Sequence, residues 1–264
     1  MKKTILISAS LLAVLTVAGL ALRARHTEPV LLPPLKAVER RAALKVESPR
    51  ITPPATPSQT AAGPAEATAA NPGAVAASTF PAQAADYLLN PEAPYTQRFE
   101  FLGRLRNEGL LPGVVAELEK RAREETNNPA IPATLGQAYL LQASLATNSI
   151  SEQGILGMKA DQVFDRALAQ DGGNWEARYW KAVAMSHWPT VLNKSQEVVQ
   201  HFVKLIEQQE AEPPQPQFAD TYAWLGKQYL KAGYPEYAKQ AWERGLVFFP
   251  NHEQLMANIN GLQK

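Results

Sequence analysis

The sequence predicts an all-α domain of antiparallel helical hairpins over residues 95–264, preceded by an apolar N-terminal segment and a proline-rich linker. Three observations carry this prediction. Apolar residues recur at steps of three and four, the spacing of neighbours on one helix face. Small residues interrupt these stripes beside aromatic ones, so that two helices are able to approach closely. Helix breakers then punctuate the periodic runs, among them Gly109, Gly233 and Pro250.

The last hairpin shows the pattern most fully. Tyr222, Leu225, Gly226 and Tyr229 share one face of a helix. Ala232-Gly233-Tyr234 breaks it, with Gly233 suited to a left-handed stop. Pro235 follows, placed in a first turn where its missing N–H costs nothing. Ala238, Trp242 and Gly245 form the inner stripe of the second helix. Gly226 and Ala238 allow the backbones close together, Trp242 fills the remaining space, and Pro250 ends the unit. This spacing resembles the tetratricopeptide repeat, a helical hairpin of about 34 residues that stacks in arrays. The resemblance implies a short solenoid that binds proteins and performs no chemistry.

The pattern recurs upstream. Leu135, Gly136 and Tyr139 repeat the Leu-Gly-x-x-Tyr element, and Ala160, Phe164 and Ala167 repeat the steps of the second helix. Gly136 and Ala160 are 24 residues apart, against 12 for Gly226 and Ala238, so an insertion is expected around 144–157. An earlier copy starts near Phe99, with Leu102-Gly103, Gly109, Pro112 and the apolar run Val114, Val115, Leu118, Ala122. Here Arg106 replaces the aromatic and Glu119 stands where Trp242 would, as in a degenerate terminal cap. A fourth hairpin is expected between 174 and 210, from helices at Trp175–His187 and Ser195–Gln209. A short helix over Glu253–Leu262 would cover the open end. Further inserts are expected at 187–194 and 211–217. Because the last hairpin lacks inserts, these are the expected source of specificity.

Residues 1–25 read as an export segment. Met1-Lys2-Lys3 precedes Thr4–Leu22, nineteen residues without a charge, and Arg23 and Arg25 follow. As a helix this run would span about 28 Å, close to the roughly 30 Å hydrocarbon core. The expectation is a single-pass anchor in the inner membrane of a bacterial envelope, with the repeat domain on the periplasmic side. The alternative is cleavage near Ala21 and a soluble periplasmic or secreted protein. Residues 26–94 hold twelve of the 21 prolines and read as a disordered or partly extended linker. Pro33-Pro34 and Pro53-Pro54 are docking motifs or simple consequences of that composition.

Composition narrows the function. Net charge is +1, with 26 basic and 25 acidic residues, and no basic cluster marks a nucleic-acid footprint. The absence of cysteine excludes disulfides, thiolate metal sites and cysteine nucleophiles. His26, His187, His201 and His252 make no metal-binding motif, and no nucleophile elbow or phosphate-binding loop is present. No catalytic, cofactor, metal or small-molecule site is therefore expected. Trp175, Tyr179, Trp180 and Trp188 read as core at helical spacing.

In tetratricopeptide arrays the first helices line a concave groove. The resemblance therefore implies partner-binding positions off the Leu-Gly-x-x-Tyr stripe: Ala133, Gln137 and Leu141, then Arg178, Tyr179 and Ala182, then Ala223, Lys227, Leu230 and Lys231. Only Lys227 and Lys231 echo the basic carboxylate clamp of chaperone-binding members. The expected function is a membrane-tethered scaffold for a protein or peptide. The runner-up is a cytochrome c maturation factor that presents a client polypeptide.

Overall fold

The computed structural model describes residues 72–262, and among these the chain forms ten α-helices, one 3-10 turn and no strand. The N-terminal apolar segment and most of the linker lie outside the described residues. Helix α1 spans Pro72–Leu89. Four antiparallel hairpins follow: α2 (Tyr95–Asn107) with α3 (Leu111–Glu124), α4 (Ala130–Ala143) with α5 (Ile150–Gln170), α6 (Trp175–Ser186) with α7 (Ser195–Gln209), and α8 (Phe218–Lys231) with α9 (Pro235–Phe248). Helix α10 (Glu253–Leu262) closes the series, with the bounds read from sequence.

The hairpins close where the sequence places small residues. At Gly226, a Cβ would lie 2.0 Å from Trp242 Nε1, so the indole of α9 rests directly on the α8 backbone. Trp242 is buried and donates its N–H to the Ala223 carbonyl at 3.2 Å. Gly136 and Phe164 repeat the arrangement between α4 and α5, where a Cβ would lie 2.3 Å from the ring. Gly245 is small for another neighbour, because a Cβ there would meet Leu255 of α10 at 2.7 Å and Tyr222 at 2.8 Å. Thus α10 seals the last hairpin. Gly109 and Gly233 adopt φ of 72° and 86°, the left-handed region that terminates α2 and α8.

The first hairpin lacks the aromatic plug. No atom stands within 4 Å of a Cβ built on Gly103. Glu119, in the position of Trp242, instead accepts the Tyr139 hydroxyl at 2.5 Å and so joins α3 to the next hairpin. Helix α4 is buried along nearly its whole length, as expected for a helix enclosed by neighbours on every side.

Two boundaries differ from the sequence reading. The linker was expected to run to residue 94, yet α1 occupies its last third. Phe80, Ala84, Ala85 and Leu88 enter the core at helical spacing, and α1 packs on α2, α3 and α4. Pro81 inside this helix is the misleading signal, since an interior proline costs about 3 kcal/mol. Burial against α3 offsets that cost. Arg121 adds a clamp, donating to Asp86 at 2.7 Å and to the Ala82 carbonyl at 3.1 Å. The second difference concerns the insertion expected at 144–157. Only residues 144–149 are irregular, and the remainder extends α5 to 21 residues. Ser149 caps this extension by accepting the Glu152 N–H at 3.2 Å.

Candidate functional site

Side chains of α2 and α6 meet across α4. Tyr95 and Phe99 of α2 reach past α4 to α6, where Phe99 stacks on Trp180 at 5.0 Å and Tyr95 meets Trp175 edge-on at 5.6 Å. Trp180 donates its indole N–H to the Tyr95 hydroxyl at 3.0 Å. Burial pushes the Tyr95 hydroxyl well above its ordinary pKa, with nearby Glu176 acting the same way, so it stays protonated. Arg98 pairs with Glu176 through its two terminal guanidinium nitrogens, one of them at 3.3 Å. Gln137 donates to the same carboxylate at 3.0 Å. Rings and an ion pair thus bridge α2 to α6 across the face of α4.

Most of the expected groove residues lie elsewhere than on an open face. Ala133, Gln137, Leu141, Arg178, Tyr179, Ala182 and Ala223 are all buried. They pack between helices and offer no open surface, which corrects their assignment as groove positions. Lys227, Leu230 and Lys231 are exposed. Lys227 sits over the Trp224 ring at 5.2 Å, and Lys231 donates to the Ser186 carbonyl at 3.3 Å. His187 meets Trp224 edge-on at 5.6 Å. Burial first, and then Lys231 and Lys227, depress the His187 pKa and favour a neutral ring. The repeat-defining residues are in the core except Gly233 and Pro250, which are exposed breakers.

Arg178 and His201 form a second polar contact. Arg178 donates to the Gly172 carbonyl at 2.7 Å and faces His201 Nδ1 at 3.4 Å. Arginine has no acceptor, so this contact requires His201 Nδ1 to be unprotonated. Burial and the charges of Arg178 and Lys181 push the His201 pKa down to about 4. Among the described residues, no three His, Asp or Glu side chains group in a way that would hold a metal ion.

Among the described residues, a cleft of about 750 Å³ stands open. It lies where the first turns of α2, α6 and α8 meet. Tyr95, Trp175 and Phe218 supply aromatic surface, with Trp175 and Phe218 at 5.3 Å between centroids. Pro91 and Pro94 form one wall, and Pro213, Pro214 and Pro216 the other. The second wall is the irregular segment expected from sequence at 211–217. Arg98 and Glu176 line the cleft and neutralise each other, Glu92, Asp171 and Glu212 add carboxylates, and Gln97, Gln215 and Gln217 bring side-chain amides. Trp175 is held from behind by stacking on Tyr179 at 4.7 Å and by donating to Gln209 at 3.2 Å. Sequence reasoning assigned Trp175 to the core and passed over Tyr95 and Phe218. The signal available was that all three aromatics open first helices.

Exposed apolar side chains collect on the other inserts. Leu145, Ile150, Ile155 and Met158 stand out around the start of α5, and Val191 and Leu192 around the 3-10 turn at Thr190–Leu192. Asn193 closes that turn in a left-handed conformation, with φ of 49°.

No known protein family and no curated protein matches the sequence. Comparison with solved structures finds helical-repeat proteins. MamA is 19% identical, with a TM-score of 0.45, covering 59% of this chain and 78% of that one. The C-terminal part of a TPR repeat-containing protein from Cytophaga hutchinsonii is also 19% identical, with a TM-score of 0.45 and coverage of 71% and 68%. YrrB, described as a TPR protein with an unusual peptide-binding site, is 15% identical at a TM-score of 0.33, covering 61% and 89%. The chain's own packing, with glycine backbones seated on Phe164 and Trp242 in the second and fourth hairpins, makes residues 95–262 a tetratricopeptide-repeat-like array.

Proposed function

We propose that this chain is a non-enzymatic scaffold that holds an extended segment of a partner protein in the cleft between α2, α6 and α8. The carrying observation is the lining of that cleft: aromatic side chains from three different hairpins, set between proline walls. Aromatic surface binds extended chains through large rigid contacts at low entropic cost. The amides of Gln97, Gln215 and Gln217 both give and accept hydrogen bonds, which matches a peptide backbone. An anionic small molecule would find no free counter-charge, since Glu176 holds Arg98 and the other charged lining residues, Glu92, Asp171 and Glu212, are carboxylates. The insert at 211–217 builds one wall, which fits the expectation that specificity lies in the inserts.

The proposal includes the membrane. Residues 4–22 tether the protein to the inner membrane, and the repeat domain faces the periplasm. Among the described residues no helix is long and apolar enough to cross a membrane, so the tether falls to the N-terminal segment.

Affinity capture from solubilised membranes with the full chain tests both parts. The wild type captures a discrete partner, the double variant Thr96→Arg/Pro214→Arg loses it, and Glu207→Lys on the outer face of α7 keeps it. Equal capture by all three would refute the cleft as the site. Recovery of the chain in a soluble fraction with its start near Leu22 would refute the tether.

A further inference from the structure

We infer that the segment held in the cleft is basic: an extended stretch of the partner whose arginine side chain enters among Glu92, Asp171 and Glu212, beside the rings of Tyr95 and Trp175. The inference rests on the reading of the cleft as a polypeptide site and adds the chemistry of the partner.

Three observations carry it. The first is the sign of the lining. Among the described lining residues, the carboxylates of Glu92, Asp171, Glu176 and Glu212 stand against the single guanidinium of Arg98. That is a formal charge of −3 in a chain whose net charge is +1. Glu176 is occupied by Arg98 and Gln137. Asp171 accepts the Gly173 N–H at 2.9 Å, and its charge is felt by Arg178. Glu92 and Glu212 are exposed, and their carboxylates make no hydrogen bond or ion pair among the described residues. A field of the same sign reaches the Tyr95 hydroxyl. After burial, Glu176 and then Asp220 raise its pKa, against the Trp180 hydrogen bond and Arg98.

The second observation is placement. Glu92 lies in the loop between α1 and α2, Asp171 in the turn between α5 and α6, and Glu212 in the loop between α7 and α8. These carboxylates do not converge: among the described residues, no three His, Asp or Glu side chains could hold a metal ion. Acidic groups spread over three loops around a cleft of about 750 Å³ suit an elongated ligand better than a single ion. The third is the aromatic surface in the same space. A guanidinium stacks on such rings while its N–H fork donates to a carboxylate, a combination that ammonium matches poorly. Trp175 is already fixed for this by Tyr179 at 4.7 Å. An acidic segment would meet like charge on every side.

Binding of labelled peptides to the full chain in neutral detergent, read by fluorescence anisotropy at low salt, tests the inference. The probes are a peptide of alternating proline and arginine, its counterpart with citrulline, the neutral isostere of arginine, and its counterpart with glutamate. The arginine peptide should bind on the order of tenfold more tightly than the citrulline peptide, the worth of two or three partly exposed charge pairs. The glutamate peptide should bind most weakly. Glu92→Gln/Glu212→Gln, both on exposed loops, should shrink the arginine preference to about twofold. Glu207→Gln/Glu236→Gln removes the same charge from exposed positions on α7 and α9 and should leave the preference intact.

Equal binding of the arginine and citrulline peptides overturns the inference, as does no binding of the arginine peptide at millimolar concentration. A preference that survives Glu92→Gln/Glu212→Gln, or that is lost equally in Glu207→Gln/Glu236→Gln, also overturns it. Arginine amide binding as tightly as the peptide would make this a small-cation site and overturn the polypeptide. The cleft reading has its own test. If Thr96→Arg/Pro214→Arg still abolishes partner capture, only the charge assignment falls. If capture is unaffected, the cleft itself is refuted.

Discussion

Alanine at the three Leu-Gly positions, 103, 136 and 226, should have three different effects, because the second helix offers each glycine a different neighbour. At Gly226 the new Cβ would lie 2.0 Å from Trp242 Nε1 and 2.3 Å from Cε2, so the indole has to move. Overpacking of this kind costs about 1–3 kcal/mol. Moving the indole also pulls its N–H from the Ala223 carbonyl inside the core, worth about 1–3 kcal/mol. Alanine returns about 1 kcal/mol of helix propensity. The net destabilisation is about 2–4 kcal/mol, or a drop in Tm on the order of 10 °C for a domain of this size. At Gly136 the displaced ring is Phe164, at 2.3 Å and without a hydrogen bond to lose, and the net cost is about 1–2 kcal/mol. At Gly103 the Cβ meets nothing, so alanine is neutral or stabilising by up to about 1 kcal/mol. Urea unfolding of the full chain and its three variants gives the order directly. A Gly226→Ala protein within about 0.5 kcal/mol of wild type, or a Gly103→Ala protein as damaged as it, would refute the account of how the hairpins close.

Three further outcomes follow from the packing. Glu176→Gln removes the charge shared by Arg98 and Gln137 at the α2–α6 bridge; leaving Arg98 unpaired but partly solvated should cost about 2 kcal/mol in unfolding experiments. Phe80→Ala should cost about 3–5 kcal/mol if α1 belongs to the core, whereas a change in a linker would cost nothing measurable. Stability should fall as pH drops from about 6.5 toward about 4, because unfolded His201 takes up a proton there that the folded state refuses. The folded pKa is the depressed one, so this contribution is complete above pH 6.5. Allowing for partial solvation of the ring, His201 supplies about 1–2 kcal/mol of the slope, and His201→Gln should flatten it.

The last hairpin was legible in the sequence because local signals and tertiary packing agree there. Gly226, Gly233, Pro235 and Trp242 each act within one unit, and the observed bounds of α10 match those read from its pattern. The start of α5 was hidden because its first turns are solvent-facing, with Ile150, Ile155 and Met158 exposed, so apolar periodicity says nothing about an inward face. The N-cap Ser149 was the better signal. Helix α1 was hidden by composition: alanines and Pro81 resemble linker until α3 and Arg121 are present to receive them. The candidate site was least legible. Its aromatic residues belong to α2, α6 and α8, and only the reach of α2 across α4 brings Tyr95 to Trp175. That same reach brings Arg98 to the Glu176 carboxylate that Gln137 also holds, and Gln137 is buried there.

Site-specific photocrosslinking of the full chain in cells tests the central claim most directly. A photoreactive residue at position 214, on the cleft wall, should give one heavier adduct with a partner polypeptide, and the same residue at position 204, on α7, should give none. Absence of an adduct at 214, or the same adducts from both positions, would contradict a partner segment held between α2, α6 and α8.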